Sequence, residues 1–197
     1  YSFYPSKNLT TGEGGMLTTS DSALAANFRL ARSHGEDSRY HHISLGFNFR
    51  LTDLSAALGV EQLRKLPTAL RRRRRNAALL TRGLAGVPGI TLPRVAKGMS
   101  HAFNLFTICL DPEALRMSRQ EFQTELARRG IETAVHYPLP LHCQPIFRGW
   151  GDDQDFPVST RLAKTVLSIP VHPGLGRSDV HRIVRAVRAI ASLGVRA

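Results

Sequence analysis

This sequence contains little cysteine, no long apolar run and no segment at its start that resembles a secretion signal. Two cysteines in 197 residues are too few for a disulfide framework, which indicates a reducing compartment. No apolar stretch approaches the roughly 20 residues needed to cross a bilayer, and the chain opens without the basic and apolar segments of a secretion signal. We therefore expect a cytoplasmic protein that does not associate with membranes. The chain also begins without methionine, inside what reads as folded sequence, and we expect a piece of a longer protein.

Basic residues outnumber acidic ones, 27 to 15, and the excess is concentrated in one region. No acidic residue occurs between Glu61 and Asp111, and Arg71–Arg75 form an uninterrupted run. A non-catalytic basic binding or regulatory module that uses this run is one interpretation. The run lacks interleaved aromatics, which favours a solvated helix face or a groove for a small anion over nucleic acid. Five residues exceed one helical turn, so we expect Arg73 or Arg74 to pair with a carboxylate or lie at a subunit contact.

The apolar spacing predicts an α/β protein. A hairpin-like unit with short strands is predicted around the glycine-rich turn of residues 12–15, followed by a helix capped by Asp21 or Ser20. A long helix begins at Thr52-Asp53 and continues to Leu84, and Pro67 must bend it or open a new helix. Further strands are predicted at residues 90–92, 103–110 and 131–135, and further helices at residues 118–129 (with a Ser118–Glu121 capping box), 159–168 and 178–193.

Lys7 is the residue on which we expect the chemistry to depend. It directly precedes the glycine-rich turn and has several neighbours with small hydroxyl groups, which suit a phosphate. A lysine amine can form a Schiff base with an aldehyde. The order of lysine before glycines does not match a P-loop, in which the lysine follows them. A Schiff-base lysine, a phosphate-binding lysine and an exposed loop lysine therefore remain open from spacing alone.

Four blocks resemble the DegT/DnrJ/StrS family of sugar-nucleotide aminotransferases, which are fold-type I enzymes dependent on pyridoxal phosphate. They are residues 2–16, 46–63, 130–145 and 167–173, and they occur in family order over nearly the whole chain. The resemblance implies the C-terminal part of an α/β fold-type I enzyme, starting just before the lysine. It implies that residues 1–66 end the large cofactor-binding domain, residues 67–85 form a connecting helix, and residues 86–197 form the complete small α/β domain.

The resemblance also assigns roles to individual residues. Lys7 would form a Schiff base with pyridoxal 5′-phosphate and later carry a proton, and Ser2 would donate its hydroxyl to the cofactor phosphate. Asn48 would reach the phosphate of the cofactor held by the other subunit, which implies a homodimer with shared active sites. The chemistry requires an amine that leaves and returns, a fixed phosphate anchor and a ring held for electron withdrawal.

Weaker candidates for substrate contacts are Glu13, His136, Tyr137 and His142. The resemblance places the last three in a loop near the active-site mouth, and packing with hydrogen bonding is an equally good interpretation of His136 and Tyr137. A zinc site formed by His136, His142 and Cys143 is not expected, because their spacing fits no common ligand pattern. We therefore predict that no metal is bound.

The implied function is the transfer of an amino group, from glutamate or glutamine, to a nucleotide-linked keto-sugar in polysaccharide or antibiotic sugar biosynthesis. In the family, the carboxylate that pairs with the pyridinium nitrogen, the stacking aromatic and the phosphate-binding glycine loop all lie upstream of the lysine. We therefore expect residues 1–197 alone not to transaminate. A scaffold that keeps the fold and the dimer without catalysis is a further alternative.

Overall fold

The computed structural model describes residues 1–195, which divide into two compact units at residues 69 and 70. The first unit ends at Ala69 and the second begins at Leu70. The predicted small domain extends to residues 196 and 197, which lie outside the described residues. The domain boundaries at residues 66 and 86 stay predictions.

A glycine-rich loop opens the first unit. Ser2 and Gly15 form a single antiparallel bridge, and the Phe3 amide donates to the Gly14 carbonyl at 2.9 Å. The predicted short strands are therefore reduced to one bridge, because other amides of this segment bond within the loop. The Thr11 amide, for example, donates back to the Phe3 carbonyl at 3.0 Å.

Helix α1 and a small hairpin follow this loop. Helix α1 covers Ser22–Arg32, and the Asp21 carboxylate accepts from the amides of Ala23 and Leu24, which confirms the predicted cap. Strands β1 (Glu36–Ser38) and β2 (His41–His42) pair in antiparallel fashion.

Helix α2 is a single helix over Asp53–Leu84 and contains Pro67. Of the two outcomes predicted at Pro67, a new helix is wrong, because helix α2 continues through the proline. A bend at Pro67 stays a prediction. A proline in a helix removes one backbone hydrogen bond, and the remaining residues of this 32-residue helix are good enough helix formers to span it. Ala77, Leu80 and Leu84 on the last turns are buried in the core of the second unit.

An antiparallel sheet of order β3-β4-β5 is at the centre of the second unit. Strand β3 covers Ile90–Thr91, β4 covers Phe106–Leu110 and β5 covers Val166–Ile169. Phe106 pairs with Ile169 and Cys109 with Val166. Both β5 and the buried positions of β4 are apolar except for Ser168.

Three sequence predictions for this sheet were inaccurate. The helix predicted over residues 159–168 ends at Thr165, since the next four residues are all buried and enter the sheet as β5. The strand predicted over residues 131–135 is one bridge between Ala134 and Ser168. The strand predicted from residue 103 begins at Phe106, because Phe103 has a φ of 45°, which a strand does not accept.

Four helices and two 3₁₀ turns complete the second unit. The helices are α3 (Pro112–Leu115), α4 (Arg119–Arg128), α5 (Pro157–Thr165) and α6 (Arg177–Val195). The 3₁₀ turns cover Leu141–Cys143 and Pro145–Phe147. The predicted capping box at the start of α4 is confirmed. Its hydrogen bonds from the Ser118 backbone and hydroxyl lower the pKa of Glu121.

The core lies within the second unit. Its fully buried side chains include Leu80, Phe106 and Phe122. In residues 1–69 no apolar side chain is buried, and Leu45 and Leu54 are each 84% exposed. In the described part of the chain, no helix combines the length and apolar character needed to cross a membrane.

Candidate active site

The glycine-rich loop at residues 1–16 presents Lys7 at its surface. The Lys7 side chain is exposed, and its backbone amide closes a turn by donating to the Tyr4 carbonyl at 3.0 Å. Thr10 holds the far side of the loop: its hydroxyl donates to the Phe3 carbonyl at 2.9 Å and accepts from the Gly12 amide at 3.0 Å. Backbone and threonine contacts thus fix the loop and leave the lysine amine available to a ligand.

Gly14 is required by the packing of this loop. Its φ is +148°, and a Cβ atom there would lie 2.6 Å from Thr11 Oγ1 and 2.9 Å from Leu51 Cδ1. The buried Thr11 hydroxyl donates to the Glu13 carbonyl at 2.7 Å. Any larger residue at position 14 would displace Thr11 or Leu51, so the shape of the loop depends on this glycine.

Ser2 and Glu13 belong to the same loop as Lys7. Both side chains are exposed. Ser2 Oγ lies 3.5 Å from the Tyr4 amide nitrogen and can accept from it, which leaves the hydroxyl proton free to donate to an anion. The fold therefore groups three predicted site residues in one loop.

Asn48 lies in a separate segment of the first unit. It forms an antiparallel bridge with Ser33, and its Oδ1 accepts from Arg50 Nε at 3.1 Å. The rings of Phe47 and Phe49 on either side of it stack with centroids 4.9 Å apart, and both rings are exposed. The side-chain amide nitrogen of Asn48 is thus presented on an exposed aromatic surface.

The remaining predicted substrate contacts, His136, Tyr137 and His142, line one cavity of about 870 Å³ in the second unit. Trp150 and Phe156 line the same cavity. His136 Nδ1 lies 3.1 Å from the Ser168 hydroxyl, which in turn contacts Thr107 Oγ1 at 2.9 Å. Tyr137 is 72% exposed. These contacts give His136 a polar anchor on strand β5 and leave the Tyr137 ring accessible at the cavity.

His142 is held more firmly than its neighbours. Its side chain is 6% exposed, its Nε2 lies 2.9 Å from Asp153 Oδ1, and its ring stacks on Phe156 with centroids 4.9 Å apart. Asp153 Oδ1 also accepts from the Thr160 hydroxyl at 3.0 Å. The hydrogen bond from His142 lowers the pKa of Asp153.

Asp153 and Thr160 are residues that sequence reasoning missed. Asp153 lies in an irregular segment without periodicity, 11 residues after His142. The only local signal was its position shortly before the proline that starts helix α5, and this signal does not identify a histidine partner.

The arginine run binds the backbone of its own unit. Arg73 is half-buried and donates to the carbonyls of Phe103 and Asn104, at 3.1 and 3.3 Å. Arg74 donates to the His101 carbonyl at 3.0 Å, and Arg75 donates to a loop carbonyl near the start of α6 at 3.0 Å. Among the described residues, backbone oxygens take the place of the carboxylate partner predicted for Arg73 or Arg74, so that alternative was wrong. The other alternative, a subunit contact, stays a prediction. Burial lowers the pKa of Arg73.

Comparison with known proteins decides the family. Residues 1–188 match the DegT/DnrJ/EryC1/StrS aminotransferase family. The chain belongs to this family. A dTDP-3-amino-3,4,6-trideoxy-alpha-D-glucose transaminase from Streptomyces venezuelae is 37% identical to this DegT-family chain over 190 residues, which cover 95% of the chain and 48% of the relative. A UDP-N-acetyl-3-dehydro-alpha-D-glucosamine 3-aminotransferase from Acidithiobacillus ferrooxidans is 36% identical over 189 residues, covering 95% and 49%.

A solved structure shares the fold of this DegT-family chain. It is DesV from S. venezuelae in complex with a ketimine intermediate, and it superposes with a TM-score of 0.91 at 38% identity over 96% of this chain and 50% of DesV. The fold is therefore part of an α/β fold-type I aminotransferase, as predicted. The chain spans about half the length of the curated relatives it matches.

Pyridoxal 5′-phosphate is the cofactor of the DegT-family aminotransferases, as the sequence predicted. The donor set of the glycine-rich loop fits this group chemically. Lys7 supplies an exposed primary amine for an aldehyde, and Ser2 supplies a hydroxyl proton for a phosphate. Gly14 keeps the loop compact beside them.

Proposed function

We propose that this chain is part of an aminotransferase that moves an amino group to a nucleotide-linked keto-sugar. Membership in the DegT/DnrJ/EryC1/StrS aminotransferase family supports the reaction class. The names of relatives that act on dTDP-linked and UDP-linked sugars support the substrate class. The observation that carries the proposal for this chain is the exposed Lys7 amine on a loop whose shape requires Gly14.

Bound pyridoxal 5′-phosphate would supply the electron sink that lets an amino group move between two carbon skeletons. In the proposed mechanism the Lys7 amine would hold the cofactor at its aldehyde group, and Lys7 Nζ would carry the proton that moves during the amino transfer. Ser2 donates its hydroxyl to the cofactor phosphate. Both residues belong to the fixed loop, so they need little reorganisation to act together.

The amino donor, the dimer and the substrate contacts are also part of this proposal. Glutamate or glutamine donates the amino group, and Asn48 donates its side-chain amide to the cofactor phosphate of a second subunit. Glu13, His136, Tyr137 and His142 contact the sugar nucleotide. Location in the cytoplasm and the inability of residues 1–197 alone to transaminate stay predictions.

The role of Lys7 is tested by reductive trapping. The full-length protein that contains residues 1–197 is incubated with pyridoxal 5′-phosphate, reduced with borohydride and digested, and the modified peptides are mapped. Residues 1–197 contain only four lysines, Lys7, Lys65, Lys97 and Lys164, so a label in this part of the protein is assigned without ambiguity. We expect the label at Lys7 and its loss in Lys7→Ala.

Lys65→Ala is the matched control, since Lys65 is an exposed lysine of helix α2 in the same unit. This variant should keep the label at Lys7. A label at another lysine, an even distribution over the four lysines, or no label at all contradicts the proposal.

The contacts of the arginine run, Arg71–Arg75, support a basic binding module less well than they support a structural role. Three of its five side chains, those of Arg73, Arg74 and Arg75, donate to backbone carbonyls within 3.3 Å. Guanidinium groups engaged in this way have fewer donors left for phosphates. The contacts favour a structural role for the run.

A further inference from the structure

We propose that His142, Cys143 and Asp153 form a binding site for a transition-metal ion of the zinc type. One atom from each residue, Nε2, Sγ and a carboxylate oxygen, lies within 4.8 Å of the other two. Nitrogen, thiolate and carboxylate are the ligands that zinc uses in proteins. The site goes beyond the proposed aminotransferase function, and of the residues proposed there it shares only His142.

The distances between the ligand atoms suit a four-coordinate ion. Asp153 Oδ1 lies 2.9 Å from His142 Nε2 and 3.4 Å from Cys143 Sγ. Metal–ligand bonds of about 2.0 to 2.3 Å in a tetrahedron place ligand atoms roughly 3.3 to 3.7 Å apart. The third pair, His142 Nε2 and Cys143 Sγ, lies within 4.8 Å, so side-chain rotations that draw these atoms together would replace the present hydrogen bonds with bonds to a metal.

The surroundings orient the imidazole and the carboxylate. The His142 side chain is 6% exposed and stacks on Phe156, so its Nε2 is aimed into the cluster by packing. The Thr160 hydroxyl donates to Asp153 Oδ1 at 3.0 Å and supplies the outer hydrogen bond that metal-binding carboxylates commonly receive. Asp153 itself is 58% exposed, which gives an ion a path from solvent.

The positions of His142, Cys143 and Asp153 along the chain explain why common zinc-ligand spacings do not predict this site. His142 and Cys143 are adjacent in the 3₁₀ turn Leu141–Cys143, and Asp153 comes from the irregular segment before α5. The spacing of His136, His142 and Cys143 predicted no zinc site, and the fold supplies Asp153 in place of His136. Three protein ligands leave a fourth position for water or another small ligand.

The first test is metal titration of the chelator-treated chain with Co²⁺ and Zn²⁺. We expect one Co²⁺ per chain, with the visible bands of a four-coordinate ion and a near-ultraviolet thiolate-to-cobalt band, and displacement of Co²⁺ by Zn²⁺. Cys143→Ser should abolish the thiolate band, and Asp153→Asn should weaken affinity by about tenfold or more.

Two matched variants control for thiol and charge. Cys109→Ser removes the other cysteine, which lies half-buried on β4, and should keep the band. Asp155→Asn removes a carboxylate two residues from Asp153 and should keep the affinity. Binding that is equal in all four variants, or the absence of stoichiometric binding, overturns the proposal.

A second measurement needs no ligand variant and therefore does not depend on whether the variants fold. Cys143 is exposed, so iodoacetamide should alkylate it in the metal-free chain. Zn²⁺ should slow this alkylation by about tenfold or more while leaving Cys109 unaffected. An unchanged rate at Cys143 in saturating Zn²⁺ contradicts the site.

Discussion

Asn76 is a completely buried polar side chain on helix α2. Its amide nitrogen donates to the His172 carbonyl at 3.0 Å, and its Oδ1 accepts two hydrogen bonds from Arg75, at 2.9 and 3.1 Å. This one side chain therefore ties the helix to the loop that precedes α6. All of its polar atoms have partners, which a buried amide requires.

We expect Asn76→Ala to lower the free energy of unfolding by about 1 to 3 kcal/mol, because the change leaves the donors of Arg75 and the His172 carbonyl without their partner. Chemical denaturation of the purified chain measures this change. Arg72→Ala, an exposed substitution in the same arginine run, is the control and should change stability by less than about 0.5 kcal/mol. If Asn76→Ala loses no more stability than this control, the hydrogen bonds of Asn76 contribute little to the free energy of unfolding.

At the residue scale, local signals were predictable and contacts made across irregular segments were not. The Asp21 cap and the Ser118–Glu121 capping box were readable because each pattern lies within four residues. The contact of His142 with Asp153 depends on how two irregular segments fold against each other, and periodicity carries no information about that.

Helix α2 and helix α6 approach each other closely at Gly83. A Cβ atom at position 83 would lie 2.7 Å from both Cγ atoms of Val184, and Arg188 donates to the Gly83 carbonyl at 2.7 Å. A β-branched side chain in a helix has essentially one rotamer, so Val184 has little freedom to move away. The glycine is therefore needed for packing, although it weakens the helix.

We expect Gly83→Ala to destabilise the chain. Overpacking costs about 1 to 3 kcal/mol, which outweighs the gain of about 1 kcal/mol in helix propensity. In a Val184→Ala background the clash is removed and the same change should become stabilising, by up to about 1 kcal/mol. A double-mutant cycle measured by denaturation checks this reversal of sign, and equal effects in both backgrounds would contradict the close approach.

At the element scale, the predicted types were mostly correct and the boundaries were less accurate. The helix predicted to residue 168 failed because Val166–Ile169 are all buried and apolar except for Ser168, a pattern that suits a buried strand as well as a helix. The pairing of this buried segment with β4 decides in favour of a strand, and that pairing is a tertiary contact. Pro67 does not end helix α2, because a proline removes one backbone hydrogen bond and the other residues of this 32-residue helix continue it.

The two units of the molecule differ in how they are stabilised. Every buried apolar side chain among the described residues belongs to the second unit. The first unit relies on backbone hydrogen bonds of the loops around Ser2 and Asn48 and on partly exposed apolar contacts. Local stability follows buried apolar contact, so the units should open separately.

Native-state hydrogen exchange of the purified chain tests this difference. We expect the amides of β4, β5 and α6 to exchange slowest, and those of α1 and the β1–β2 hairpin to exchange at least about tenfold faster. Mass spectrometry of peptic fragments resolves these elements. Equal protection in both units would mean that they unfold together.

Fold class, cofactor and family followed from the sequence at the scale of the whole molecule, because four ordered blocks resembled one family. The location of the core did not follow from it, since apolar residues are spread along the whole sequence and their burial depends on packing partners.

Both edges of the three-stranded sheet are blunted. On one side β3 has two residues and is followed closely by Pro93, and on the other side Ala134 exchanges two backbone hydrogen bonds with Ser168. A foreign strand therefore finds no free ladder of amides and carbonyls to extend. If this chain self-associates at high concentration, addition of strands to the edges of this sheet is disfavoured. We expect association through exposed apolar side chains such as Leu45 and Leu54 instead.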